Sequence, residues 1–449
     1  MSALAVAPAP AAGPHGVLAS VSRSVLGAGA GGKTVLTEKD FKFVGTYKAD
    51  SNLGLGMGGG ELNYGQGFTH RYVRGELRFL TLGFISNTYR LVEFAAPAKL
   101  GATIKDPTAV WRDIWKNGYG NNGWWHGLWW DEGKGRLWTA SAVDYPNAKW
   151  EKSTKSLMTR KLKAGGEIEE LRGVWGLEKI GQRRIFGGAT AIPSWFQKKY
   201  GVGPYAVGFG GYTSRMSQGL SSSLGPTLYA IPDPAGYKDG TDIPTGKYRV
   251  LMDHGAATGS DWYKQRMPTL FDRGVRNSDV INYYDSGDPR PNPSTAPVKP
   301  PAKGAQWLSP APDGLGRWVW GDCAWNTGNW IDGPNKHGFL IVPTFMSGKV
   351  YYSGSTLHAE RKTFEIQVFD PEHLGEVSKG KRKPWDVKPS SRKVITEDLK
   401  RFTNKKGGGG PWGGVYGATF DPKSKRLYVL ACSNVKPFEA VIHVYNVDH

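Results

Sequence analysis

Five side chains stand immediately before glycines that recur through the chain: Gln66, His126, Trp175, Trp320 and Tyr416. Aromatic rings can stack on a sugar face, while amide, imidazole and phenol groups can hydrogen-bond its hydroxyls. Trp125, beside His126, adds another ring. His70, Arg71 and Arg215 add an imidazole and two guanidinium forks suited to carboxylate or sulfate. Two reactions could use such parts. Elimination on a uronic acid needs a base, for which His126 and Tyr416 are candidates, and cations such as Arg71 or Arg215 to neutralise the carboxylate. Hydrolysis needs two carboxyl groups about 5 to 10 Å apart. Asp322, directly after Trp320-Gly321, is the acid best placed for this, and one acid is not a pair. Asp131 and Asp421 recur at one motif position and read as turn formers that bond their own backbone. Rings that merely plug the centre of a fold would give the same pattern, so the catalytic residues stay unassigned.

Other chemistries have little support. The sequence contains no His-x-x-x-His, no Cys-x-x-Cys and no Asp-x-Asp-x-Asp-Gly loop, so no metal is expected. Gly54-Leu-Gly-Met-Gly-Gly-Gly60 echoes a phosphate loop but lacks the following Lys-Ser/Thr and reads as a turn, so no cofactor is expected. Lys and Arg total 58 against 39 Asp and Glu, a net charge of +19 that attracts polyanions in a salt-dependent way. Nucleic acid is the weaker partner, since no recognised nucleic-acid motif accompanies the charge. Cys323 and Cys432 are too few for a disulfide framework, and their pairing stays open.

The elements that must position these residues are strands. Gly67-Phe-Thr-His-Arg71 leads to Leu77-Arg-Phe-Leu80, Gly127-Leu-Trp-Trp-Asp131 to Leu137-Trp-Thr-Ala140, and Gly417-Ala-Thr-Phe-Asp421 to Leu427-Tyr-Val-Leu430, all with one spacing. Each reads as a β-hairpin. Further copies are expected at Gly176 and Gly321, with a shorter and a longer turn respectively. Hairpins followed by strand runs such as Thr363 to Asp370 and Val441 to Asp448 describe propeller blades. At roughly 50 to 60 residues per blade the glycine intervals imply about seven blades, with six or five plus insertions as alternatives. The early strand Phe41 to Tyr47 is expected to pair with the C-terminal blade and close the ring. Short helices are expected over Trp195 to Tyr200 and Thr396 to Phe402.

The domain reading is thus all-β: a flexible segment over 1–38, then one propeller over 39–449. A Pro-rich insertion is expected over 285–316, where eight prolines fall between Asp285 and Gly316. A basic loop is expected over 376–412, with eleven Lys/Arg against four Asp/Glu between Glu376 and Lys406. No apolar run approaches the ~18 residues of a membrane span. The Ala-x-Ala spacing of the first residues resembles the end of a secretory signal without its basic start, and an extracellular or periplasmic location is the expectation.

Phe41-Lys-Phe-Val-Gly-Thr-Tyr47, Tyr64-Gly-Gln-Gly67, Gly203-Pro-Tyr-Ala-Val-Gly208, Lys383-Pro-Trp-Asp-Val-Lys-Pro389 and Gly417-Ala-Thr-Phe-Asp421 together resemble a group of uncharacterised, exported bacterial propeller-like proteins. The resemblance spans most of the chain and implies the fold, with no activity attached. Three functions fit: binding of a glycan or other anionic surface ligand at the channel mouth, a polysaccharide lyase or hydrolase using that mouth, and a protein-interaction scaffold.

Overall fold

Polar turns between β-branched and aromatic runs make hairpins, and the chain folds as a succession of them. The computed structural model describes residues 32–50, 53, 55, 67–85, 88–111, 123–143, 154–163, 166–181, 184–185, 187–209, 226–253, 328–353, 356–395, 413–433 and 439–449. Two strands, β1 (Thr34–Val35) and β2 (Phe41–Ala49), precede the first blade, made of β3 (Phe68–Val73), β4 (Glu76–Ile85), β5 (Thr88–Ala95) and, after β6 (Thr103–Ile104), β7 (Ala109–Trp111). The second blade holds β8 (Gly123–Asp131), β9 (Arg136–Val143), β10 (Lys155–Leu162) and β11 (Ile168–Leu177). In the third, β12 (Ala189–Ala191) leads through helix α1 (Ser194–Tyr200) to β13 (Tyr205–Gly208) and β14 (Thr227–Ile231). The chain then lends β15 (Asp242–Ile243) to the outer edge of the second blade and returns as β16 (Arg249–Asp253). The fourth blade contains β17 (Gly328–Asp332), β18 (Lys336–Ile341), β19 (Thr344–Ser353), β20 (Thr356–Phe369), helix α2 (Pro371–Ser378) and β21 (Ser391–Val394). The fifth contains β22 (Gly413–Asp421), β23 (Arg426–Ser433) and β24 (Ala440–Val447), completed by β2 and β6.

The blades therefore number five, not about seven. The inner strands β3, β8, β12, β17 and β22 touch in turn, and β22 meets β3 to complete the ring. Their register repeats between blades. Trp130 N–H donates to Thr69 Oγ1 at 3.0 Å across the first junction, and Thr419 Oγ1 lies 2.7 Å from His70 Nδ1 across the last. Asn329 donates to the Ala418 carbonyl and accepts from Phe420 N–H, at 3.1 and 3.0 Å. The recurring glycine exists because these backbones nearly touch. A Cβ on Gly127 would fall 2.1 Å from Gly188 N, and one on Gly417 would fall 2.6 Å from Phe68 N.

The equivalent positions in the third and fourth blades are Gly188, which faces Gly127, and Gly328, where a Cβ would meet the Phe209 ring of the third blade at 2.2 Å, and not Gly176; Gly321 lies outside the described residues. Gly176 lies on β11, the fourth strand of the second blade, beside the added strand β15. Gly328-Asn-Trp-Ile-Asp332 repeats the Gly-x-x-x-Asp of Gly127 to Asp131 and Gly417 to Asp421. The large interval between Gly188 and Gly328 is one blade step, lengthened by 254–327, which includes the Pro-rich stretch and lies outside the described residues.

Hydrophobic residues are buried as slabs between neighbouring blades. Leu80, Leu82, Trp111, Leu128 and Leu137 fill the first junction, while Trp138, Trp175, Tyr205 and Tyr229 fill the second. Leu36, Ile331, Leu340, Val429 and Tyr445 join the fourth blade to the fifth. Helix α1 packs on α2 across the third junction, with Tyr200 donating to Glu372 at 2.6 Å. The expected helix at 195–200 is thus present; 396–402 lies outside the described residues. The expected basic loop is not one loop: it begins in α2 and contains β21 before leaving the described residues at 396. The early strand β2 runs antiparallel to β24 from Phe41↔Val447 to Ala49↔Ala440. It forms the outer part of the fifth blade, whereas the junction between the fifth and first blades is made by β22 against β3, so closure of the ring does not rest on the N-terminal strand.

Candidate functional site

All inner strands run the same way, so the ring has an entry end, where they begin, and a hairpin end, where they turn. The cross-strand pairs Phe68↔Thr81, Gly123↔Val143, Ala189↔Val207, Gly328↔Ile341 and Gly413↔Ser433 mark the entry end. Trp125 and His126 are placed by their backbone in this half of β8, just before the ring glycine Gly127. Gln66, Arg215, Trp320 and Asp322 lie outside the described residues. The described residues that bound their segments, Gly67, Phe209 and Gly328, belong to this end of the ring.

Two of the expected ligand-facing rings belong to the core. Trp175 is fully buried on β11 among Trp138, Tyr205 and Tyr229, far out in its blade. Tyr416 is 2% exposed and packs with Tyr47, Phe68 and Phe79 between the fifth and first blades. Neither presents a ring to a ligand, and Tyr416 is not placed to act as a solvent-facing base. The residue before a repeat glycine is therefore not a uniform channel position: Trp175 precedes a glycine that is not on an inner strand, and Tyr416 sits at a register shift between Val415 and Gly417. Cys432 is a buried free thiol whose pKa burial raises well above the ordinary value, and Cys323 lies outside the described residues.

Arg71 is also occupied. Its Nε donates to Glu93 at 2.5 Å, and its guanidinium lies over Trp111 and Trp130 at 5.4 and 4.9 Å from the ring centroids. Arg78 and Thr108 complete the shell of Glu93, at 2.9 and 3.1 Å. This guanidinium welds the first blade to the second, which removes it as a free clamp for a carboxylate.

His70 instead joins a polar cluster near the hairpin end, at the junction of the fifth and first blades. Its Nδ1 faces Thr419 Oγ1, and its Nε2 lies 3.8 Å from Asp421 Oδ1. Burial lowers the His70 pKa, with Asp421 acting in the opposite direction. Asp421 is fully buried and accepts from Tyr72 Oη at 2.8 Å, from Ser424 Oγ at 2.5 Å, and from the backbone N–H groups of Lys423 and Ser424. Burial alone would raise its pKa, but the hydrogen bonds from Ser424 and Tyr72 outweigh it and the net shift is downward. Tyr72 moves upward through burial and its bond to Asp421, while Lys423 Nζ sits 3.6 Å from its ring centroid.

Asp421 is thus the expected turn former and an inter-blade acceptor as well. Asp131 departs from that expectation. Its carboxylate accepts from Tyr205 Oη at 2.9 Å and Arg136 Nε at 3.3 Å, linking the second blade to the third. Sequence reasoning missed this role, although the common motif position was its signal. No group of three or more His, Cys, Asp or Glu among the described residues could hold a metal ion. Among those residues no helix is long and apolar enough to cross a membrane.

No family model and no curated protein matches the chain. Among solved structures it is similar to a member of the DUF4221 family from Bacteroides vulgatus, at 8% identity and a TM-score of 0.34, over 92% of this chain and 99% of that one.

Proposed function

We propose that the protein is an exported β-propeller that binds a glycan or other anionic surface ligand at the entry end of its ring. The observation that best supports this reading is the shared direction of the five inner strands. It brings the starts of β3, β8 and β17, with the backbone of Trp125 and His126, toward one end. Ring and hydrogen-bonding residue types at a channel end suit a sugar, and the net charge of +19 favours acidic ones.

The test is binding and product release across neutral, uronic and sulfated oligosaccharides, using the full chain beside Trp125→Ala and His126→Ala. The expected result is saturable binding without new chain ends, weakened about tenfold or more in Trp125→Ala. Unsaturated products that vanish in His126→Ala would replace the binder with a lyase. Absence of any glycan response would overturn the sugar reading. Trp175→Ala is unsuitable here, because emptying a fully buried site destabilises the fold itself.

A further inference from the structure

A cavity of about 220 Å³ opens between the second and third blades, in the half of the ring opposite the entry end. Its wall comes from three strands of the second blade and from Ala235 of the third. Thr159 pairs with Arg172 and with Trp138, and Lys161 pairs with Glu170. Strand alternation therefore puts Arg136, Thr159, Lys161, Glu170 and Arg172 on one face. Lys134 joins them from the β8–β9 turn. Arg160 also borders the cavity, but its guanidinium serves the other face, donating to Thr139 Oγ1 at 2.7 Å.

The wall is rich in donors and poor in acceptors. Lys134 and Arg136 are tied back to Asp233, and Arg136 also to Asp131 and Tyr205. Arg172 Nε donates to Asp239 at 3.0 Å. Glu170 is the one carboxylate of the wall, 3.1 Å from Lys161 Nζ and 3.8 Å from Arg172 Nη1. These three side chains are 37 to 50% exposed, so their pairing is water-screened and readily exchanged. With Lys134 and Arg136 held by Asp233 and Asp131 and Arg172 Nε by Asp239, the ammonium of Lys161 and the remaining N–H groups of Arg172 still offer more donors than the half-exposed Glu170 carboxylate can accept.

We propose that this cavity is a second site, independent of the entry-end ligand, which binds a tetrahedral oxyanion: sulfate or phosphate, free or as the end group of an ester. Lys161 and Arg172 exchange Glu170 for the anion, with Arg136 and the Thr159 hydroxyl behind them.

Calorimetric titration of the full chain with inorganic sulfate, inorganic phosphate, a monosaccharide sulfate and a monosaccharide phosphate tests this, at fixed ionic strength with chloride as reference. Saturable binding is expected, weakened about tenfold in Lys161→Ala and in Arg172→Ala, since each removes a charge-assisted hydrogen bond. Glu170→Gln is expected to bind several-fold more tightly, because it removes the competing carboxylate. These substitutions are on exposed side chains, so folding does not confound them. Equal affinity for ion and ester assigns the free ion, and tighter binding of an ester assigns the ester. Heats no larger than those of chloride, or a Glu170→Gln variant that binds no better, would overturn the proposal and leave a structural ion-pair cluster. Trp125→Ala should leave this binding unchanged, so failure of the glycan reading and failure of this one are separable.

Discussion

Single residues in this protein act mainly at the seams between blades. Asp421, Asp131 and Asn329 each hydrogen-bond across a junction, Arg71 reaches across one over the Trp130 ring, and each lies in or beside an inner-strand hairpin. His337 differs from them. It is 4% exposed, stacks on Trp195 at 5.3 Å between centroids, and has no hydrogen-bond partner for either ring nitrogen among the described residues. Asp370, Asp332, Glu372 and Lys33 are the charged groups that act on it. Burial lowers its pKa, the carboxylates opposing. In the unfolded chain a histidine titrates near ~6.5. Below that pH the unfolded chain takes up a proton that the folded chain resists, so this contribution to stability is present above ~6.5 and is lost as the pH falls. Urea unfolding from pH 7 to pH 5 should therefore show a smaller loss of stability in His337→Phe, which keeps the stacking, than in the parent. An identical loss would remove His337 from the account; His70, lowered in the same direction, should preserve part of the sensitivity in both.

The hairpin containing an inner-strand glycine is the unit at the next scale. Its glycine answers to close approach by the next blade, since Gly127 faces the Gly187–Gly188 backbone. Gly127→Ala should cost about 3 kcal/mol, because neither backbone can move without opening the ring. Gly236→Ala, where a Cβ meets nothing within 4 Å, is the control and should change stability by less than about 0.5 kcal/mol. Equal denaturation midpoints for the two variants would refute the close-contact explanation of the motif. The same scale explains why the third blade is hard to recognise. There β12 is three residues long and is followed by α1 rather than a turn, so the hairpin signal is missing while the glycine contact remains.

For the whole molecule, the N-terminal strands decide how much of the last two blades is covered. β1 runs beside Lys336 and His337 of the fourth blade, and β2 covers β24. Leu36, Phe41 and Tyr47, at 1, 1 and 3% exposure, belong to the slabs on either side of the fifth blade. Removing residues 1–49 deletes these three side chains, each costing about 3 kcal/mol, together with one side of the β24 ladder. A loss above about 5 kcal/mol in urea unfolding is expected, with the five inner strands still able to associate. An unchanged midpoint would show that β2 is dispensable.

Strand content, the common spacing of the Gly67, Gly127 and Gly417 hairpins, the α1 helix and the nearness of the early strand to the C-terminal strands were all legible in the sequence. These features follow from neighbour chemistry: alternation of side chains, turn formers after a strand, and β-branched or aromatic runs. The blade number was not legible. Gly188, with φ +118° beside Gly127, and Gly328, against the Phe209 ring of the third blade, are recognised only once the blades are assembled, and Gly176 resembles them locally while sitting at an outer edge. Candidate site residues divided for the same reason. His70, Arg71, Trp175 and Tyr416 have the types a binding mouth uses, yet contact with a neighbouring blade, which no local pattern records, engages all four at the seams. The cationic cavity between the second and third blades arises from residues spread between Lys134 and Ala235, and tertiary packing alone assembles it.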